Sequence, residues 1–342
     1  MNDNPITENI RVFLRQRLFT PEESDSEPGS DAIDLKQGGE CCLVQQQNQK
    51  GKQSQQNDFK FSGCFLPDSS QEDVYEKAAK PIIDSALQGY SGTIFAYGPT
   101  GSGKTFTMRG GEMHEKKDAG IMMRCVEQLL SSTQECNGLL TVSYLQIYCE
   151  MITDLLDNDA TPDGDNQLSI REKDGGVYVE GLKHSPLRSL SDFENVLSRG
   201  DANRVTAETN MNATSSRSHT ALMITVRIPE GQQTSTDDDK YKNKSSKNTS
   251  YKESTLFLVD LAGSERSTAS AGQQYKRLEE GKAINLSLSS LGNCMNALAE
   301  NRKHVPYRDS KLTRLLQGSL GGGARTSVIV TLPPCVPQYV NM

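Results

Sequence analysis

Eight consecutive residues, Gly98-Pro99-Thr100-Gly101-Ser102-Gly103-Lys104-Thr105, follow the spacing G-x-x-x-x-G-K-[ST]. That pattern suits a polyphosphate. Its glycines let the backbone curl until its N–H groups converge on phosphate oxygens. Lys104 supplies a point charge for the outer phosphates, and the Thr105 hydroxyl is suited to ligating Mg2+.

Two further segments have compatible chemistry. Asp260 closes the apolar run Leu256-Phe257-Leu258-Val259 and is followed by Leu261-Ala262-Gly263-Ser264-Glu265. A lone Asp after a strand is often a helix cap. Beside a phosphate loop it can instead hold Mg2+ through water, with Gly263 free to bring its N–H close to a γ-phosphate. The second segment, Asn212-Ala213-Thr214-Ser215-Ser216-Arg217-Ser218-His219, packs four hydroxyls, an Arg and a His into eight residues. It reads either as an ordinary polar loop or as a γ-phosphate sensor, in which hydroxyls meet the metal or its waters and Arg217 pairs with a carboxylate.

The elements that must position these groups are visible as apolar runs. Ile10 to Leu14, Thr93 to Tyr97, Thr141 to Tyr148, Ala221 to Ile228, Leu256 to Leu261 and Ser327 to Leu332 read as strands. Helical spacing occupies Val74 to Leu87, Gly120 to Leu130, Leu190 to Arg199 and Ala283 to Ala299. Continuous apolar strands alternating with helices predict an α/β fold, a central, mostly parallel or mixed sheet covered on both faces. The strand Thr93 to Tyr97 leads straight into the phosphate loop, and a helix can open at Lys104, the order that a P-loop NTPase requires.

The 342 residues are 35% hydrophobic and 24% charged, which fits a folded body carrying polar inserts. Residues Glu22 to Asp34 hold six acids and no base, and seven of the fourteen residues from Gln45 to Asp58 are Gln. Gly231 to Ser254 contains no Ala, Val, Ile, Leu, Met or Phe. All three read as solvated loops or disordered inserts. The eight cysteines include no Cys-x-x-Cys pair, and no secretory signal precedes them, so reduced thiols are expected. No apolar run approaches the ~18 residues that span a bilayer. A net charge of −7 argues against nucleic acid or an acidic membrane as partner.

Taken together, the phosphate loop, Asn212 to His219 and Asp260 to Glu265 resemble the nucleotide site of the kinesin motor domain. The likeness runs from Asn9 to Leu332 and includes Tyr144-Leu145-Gln146-Ile147-Tyr148, Asp154-Leu155-Leu156-Asp157, Asn203-Arg204, Asn285-Leu286-Ser287-Leu288 and His304 through Leu316. The resemblance implies an ATPase that binds microtubules, with ATP and Mg2+ as ligands, in the cytoplasm and cytoskeleton of a eukaryotic cell. It places the triphosphate on Gly98 to Thr105, and the metal near Thr105, Ser216 and Asp260. Ser215, Ser216 and Arg217 fall in a first switch, and Asp260, Gly263 and Glu265 in a second, with Arg217 and Glu265 forming a closing salt bridge. Arg15, Tyr75 and Phe106 match adenine contacts, and Asn285 starts a helix that relays the second switch to the filament. Arg266, Arg308, Lys311 and Arg314 face tubulin.

The sequence departs from that pattern in three places. Arg15-Gln16-Arg17-Leu18 stands where an Arg-x-Arg-Pro turn is usual, and Pro99 stands where Gln is usual. After Leu332 the chain reads Pro333-Pro334-Cys335-Val336-Pro337 and stops at Met342, where the family continues into a last helix and a neck linker. The domain plan expected is therefore a short extension over 1–8, a motor domain over 9–332 with inserts at 21–58 and 231–254, and an irregular tail over 333–342. Little or no processive movement is expected of this chain alone, and a non-motile microtubule-binding module is the competing reading. A myosin would follow Ser-Ser-Arg with Phe-Gly, and a GTPase would carry an Asn-Lys-x-Asp base reader; neither is present here. The net charge hides an asymmetry: from Arg266 to Met342 ten bases face four acids, an excess of +6. A basic face towards acidic tubulin is the expectation.

Overall fold

A computed structural model describes residues 10–18, 33–34, 41–45, 56–111, 116–157, 167–173, 176–211, 215–230, 250–265, 274–320 and 324–334. In chain order the strands are β1 (Ile10–Gln16), β2 (Ile33–Asp34), β3 (Cys41–Gln45), β4 (Gln56–Lys60), β5 (Gly63–Phe65), β6 (Gly92–Tyr97), β7 (Leu139–Tyr148), β8 (Met151–Asp154), β9 (Ser169–Lys173), β10 (Gly176–Glu180), β11 (Ser185–Pro186), β12 (His219–Pro229), β13 (Tyr251–Asp260) and β14 (Arg325–Leu332). The helices are α1 (Gln71–Val74), continued through a π-helical turn at Tyr75–Ala79 into α2 (Lys80–Leu87), then α3 (Lys104–Arg109), α4 (Ile121–Glu135), α5 (Leu190–Met211), α6 (Gln274–Ala299) and α7 (Lys311–Leu315).

Nine strands form the main sheet, in the order β11-β7-β12-β13-β6-β14-β1-β5 with β8 on β7. The half around β6 is parallel, because β13, β14, β1 and β5 run with it, whereas β12, β7, β8 and β11 pair antiparallel. The expected mixed α/β sheet is what forms.

Alternation along the strands builds two cores. Ile94 and Ala96 of β6 and Leu256 and Leu258 of β13 join one apolar cluster with Ile82, Ile83, Leu129 and Phe193 from α2, α4 and α5. The intervening Phe95, Phe257 and Val259 join a second with Ile284, Leu288, Leu312 and Leu315 from α6 and α7. Both sheet faces are thus covered, which is why these strands are apolar without interruption.

The helices start where local chemistry permits. Ser70 and Asp73 form a reciprocal capping box at α1, and Ser189 and Asp192 do the same at α5. Helix α5 continues past the predicted Arg199, where polar side chains dock it: Asn203 Nδ2 donates to the Leu155 carbonyl at 2.9 Å, and Arg199 donates to that of Leu156.

Three expectations need correction. The insert over 21–58 was expected as loop, but its described residues form a small antiparallel sheet, β2-β3-β4, in which Gln45 pairs with Gln56. Backbone pairing does not require apolar side chains. The polar stretch ending at Ser254 contributes residues 251–254 to β13, in register with 226–229 of β12; residues 231–249 lie outside the described residues. Cys125, Cys136 and Cys294 are free, whereas Cys64 is disulfide-bonded, a pairing that local spacing could not reveal. Among the described residues no helix is long and apolar enough to cross a membrane.

Candidate active site

One edge of the sheet gathers the phosphate loop and the described parts of both switch segments. Because β13 and β14 lie parallel to β6, with Asp260 opposite Ala96 and Val330 opposite Tyr97, their C-terminal ends emerge together. Antiparallel β12 begins at the same edge, with Thr220 opposite Asp260. Strand β1 ends there too, Gln16 facing Leu332. Ligands of open α/β sheets bind at such carboxyl ends.

The phosphate loop follows β6 and turns into α3 through Gly103, whose left-handed backbone (φ 98°) no ordinary side chain favours. Lys104 is buried, and its Nζ donates to the carbonyls of Gly98 (2.8 Å) and Pro99 (2.9 Å). Burial lowers its pKa, opposed by the charges of Asp260 and Glu265. Ser102 anchors the loop to β14, its hydroxyl lying 2.6 Å from that of Thr331.

Thr105 and Asp260 meet directly: Thr105 Oγ1 donates to Asp260 Oδ2 at 2.7 Å. Asp260 is only 5% exposed, and its other oxygen, Oδ1, is buried without a hydrogen-bond partner. Burial raises its pKa, against the pull of the Thr105 hydrogen bond and of Lys104, Arg204 and Arg109. A buried carboxylate oxygen with no partner, next to a hydroxyl, fits a cation. Among the described residues no group of three His, Cys, Asp or Glu could share a metal; one carboxylate plus hydroxyls is a set that suits Mg2+, which keeps several of its waters.

The two switch segments and the phosphate loop interlock through their backbones. Gly263 N–H donates to the Ser216 carbonyl (2.8 Å) and Ser264 N–H to that of Gly98 (3.1 Å). Gly263 therefore holds the first switch here, where an open donor had been expected. A β-carbon at Gly263 would come within 2.3 Å of the Glu265 carboxylate and 2.5 Å of Thr100 Oγ1, so a side chain there would displace the Glu265–Thr100 contact. Glu265, expected to meet Arg217, accepts from Thr100 N–H at 2.8 Å and from the Thr100 hydroxyl. Ser215, Ser216 and Arg217 form a short 3-10 turn at this edge; Asn212 to Thr214 and Arg266 lie outside the described residues.

On the flank near β1, Arg15 Nη1 donates to Gln71 Oε1 (2.8 Å) and Thr107 Oγ1 (2.9 Å), and its guanidinium sits 5.3 Å from the centroid of the Phe106 ring. Burial lowers the Arg15 pKa to about 10, still far above neutrality. Phe106 is 42% exposed and Leu18 65%, so both can meet a ligand. Tyr75 cannot: it lies in the core at 6% exposure, donating its hydroxyl to Gln128, because the π-helical turn faces it towards α4. This corrects its expected place among adenine contacts. Two residues that sequence reasoning left unassigned belong to this flank. Arg17 Nε donates to the Gly101 carbonyl at 2.6 Å, and Gln71 Nε2 donates to that of Phe106 at 2.7 Å.

The basic residues Arg308, Lys311 and Arg314 share one region, a 3-10 turn (Tyr307–Asp309) followed by α7. Their charge is partly countered from outside the segment. Arg308 lies 3.3 Å from Glu172 of β9, and Glu150, from the turn between β7 and β8, accepts the Lys311 backbone N–H at 2.5 Å.

A mixed sheet with a phosphate loop on its central strand and two switch-like loops at the same edge defines a P-loop nucleotide-binding protein. The sequence profile of the kinesin motor domain matches residues 16–341, and the chain belongs to that family. It is 41% identical over 343 residues to kinesin-like protein KIN-UA of Arabidopsis thaliana, which covers 97% of this chain and 36% of that protein. It is 42% identical over 340 residues to kinesin heavy chain of Syncephalastrum racemosum, at 97% and 33% coverage. The chain thus spans about a third of the length of these relatives. The solved structure of a fast kinesin superposes with a TM-score of 0.80 at 39% identity, covering 95% of this chain and 86% of that one.

Proposed function

We propose that this chain is an ATP-hydrolysing, microtubule-binding motor domain, read over residues 9–332 with insertions at 21–58 and 231–254, that acts on the cytoskeleton. The observation that carries this reading is the Thr105–Asp260 hydrogen bond with Asp260 Oδ1 left unpartnered beside the phosphate loop. In this reading Gly98 to Thr105 hold the triphosphate, and Lys104 exchanges its own loop carbonyls for phosphate oxygens. Thr105, Ser216 and Asp260 hold Mg2+, which when bound offsets charge on the phosphate oxygens. Ser215 and Ser216 orient water for attack on the γ-phosphorus, so that the bond to ADP breaks and inorganic phosphate leaves. Arg217 and Glu265 close the site, which requires Glu265 to release Thr100. Positioning supplies most of the rate, since no covalent nucleophile is needed.

Steady-state ATP turnover with and without microtubules tests the reading. Strong stimulation supports a motor domain. Microtubule binding that ignores nucleotide, with no turnover, would replace it with a non-motile tubulin-binding module, and gliding of microtubules over surface-held protein distinguishes motility from turnover alone.

A further inference from the structure

His219 opens β12 directly after the first switch, and its imidazole is buried at 3% exposure. Both ring nitrogens are used. The Ala262 N–H, in the second switch two residues past Asp260, approaches Nδ1 at 3.0 Å. Nε2 lies 2.8 Å from the hydroxyl of Ser287 on α6, and that hydroxyl donates to the Ile284 carbonyl at 2.8 Å. These contacts place every proton. Nδ1 must accept, because a backbone N–H can only donate; Ser287 spends its own hydrogen on Ile284, so Nε2 must carry the ring proton. The imidazole is a neutral ring with one fixed tautomer.

This arrangement joins three elements through one side chain: the strand leaving the first switch, the backbone of the second switch, and α6. A rigid ring hydrogen-bonded at both ends transmits a shift of Ala262 to Ser287 without slack. Apolar neighbours such as Leu261 and Leu288 can slide; a pair of directional bonds cannot.

We propose that His219 is a positioning residue that couples the second switch, at Ala262, to the placement of α6, at Ser287, so that nucleotide state and filament contact are read by one buried hydrogen-bond chain. The inference rests on the motor reading above. It assigns His219 no part in the chemical step.

Ser287→Ala cuts the chain at its α6 end, and His219→Asn keeps an acceptor for Ala262 while failing to reach Ser287. ATP turnover is measured for each, for the double variant and for Ser287→Thr, without and with saturating microtubules. Ser287→Ala is expected to keep basal turnover within about twofold, and both single variants to lose about fivefold or more of the microtubule-stimulated rate, the scale of ordinary coupling energies. The double variant should be no worse than either single one, and Ser287→Thr, which keeps the hydroxyl, should recover most of the stimulation. Unchanged stimulation in Ser287→Ala, additive losses in the double variant, or equal proportional loss of basal and stimulated rates would each overturn the proposal. Absence of stimulation in the parent chain would instead remove the motor reading on which it stands.

Discussion

Asp260 accepts a 2.7 Å hydrogen bond from the Thr105 hydroxyl on one oxygen and leaves the other buried and bare. Burial favours the neutral form of such a carboxylate, so its charge carries a desolvation cost. Asp260→Asn can still accept from Thr105 but carries no charge. The nucleotide-free variant should gain stability, on the order of 1–3 kcal/mol, while turnover drops about 100-fold or more. Thermal melts paired with turnover check this; a variant that loses both would show that Asp260 is primarily structural.

Glu265 occupies donors of the phosphate loop, the N–H and hydroxyl of Thr100. Glu265→Ala frees them. ADP should bind more tightly, by about tenfold given the strength of hydrogen bonds to a charged group, even as hydrolysis falls about 100-fold. Fluorescent ADP titration beside turnover would reveal this split, and weaker ADP binding would count against it.

Leu18 stands where a proline is usual in the family, and it is largely exposed. Its carbonyl accepts from Arg17, which also bonds the Gly101 carbonyl of the phosphate loop. Leu18→Pro should stiffen this turn through the unfolded state, worth about 0.4–1 kcal/mol. The expected readout is ADP affinity raised about two- to fivefold; weakened binding would mean that the turn needs its present freedom.

Opposite charges on the α7 side should act in opposite directions. Lys311→Glu combined with Arg314→Glu should reduce microtubule affinity about tenfold or more and flatten its dependence on salt. Glu172→Gln, which releases Arg308 from its 3.3 Å contact, should raise affinity modestly. Cosedimentation across a salt series decides both, with basal turnover as the control for folding.

His219 is held neutral, its pKa lowered from 6.5 to about 3 by burial and then by Lys104. A depressed histidine contributes stability above the unfolded pKa and loses it as pH falls towards the folded one, because the unfolded chain takes up the proton first. Below pH 6.5 its share should therefore decline by about 1.4 kcal/mol per pH unit. Urea unfolding at pH 7.5 and 5 should show a shallower decline in His219→Asn than in the parent; identical slopes would deny His219 this role.

The candidate site was legible in the sequence where residue types recur at a fixed spacing: the structure brings Gly98 to Thr105, Asp260 and Ser216 together at one edge. Strand positions were legible because Ile94 and Phe95 must both be apolar in a sheet covered on two faces. What remained hidden depended on long-range partners. Arg17 becomes part of the site only because β1 ends beside Gly101. Tyr75 leaves it because a π-helical turn rotates the ring towards Gln128. The second half of α5 is secured by the main chain at Leu155 and Leu156, which has no periodic signature.

Strands β12 and β13 stay paired from Thr220 and Asp260 at the nucleotide edge to Pro229 and Tyr251 at the other. At about 3.4 Å per residue, ten pairs separate the two ends by roughly 30 Å. The Pro229–Tyr251 end of this pair is therefore a natural handle. A fluorophore or affinity tag attached at Tyr251, after its replacement by Cys, would report on or immobilise the molecule from a point remote from its chemistry.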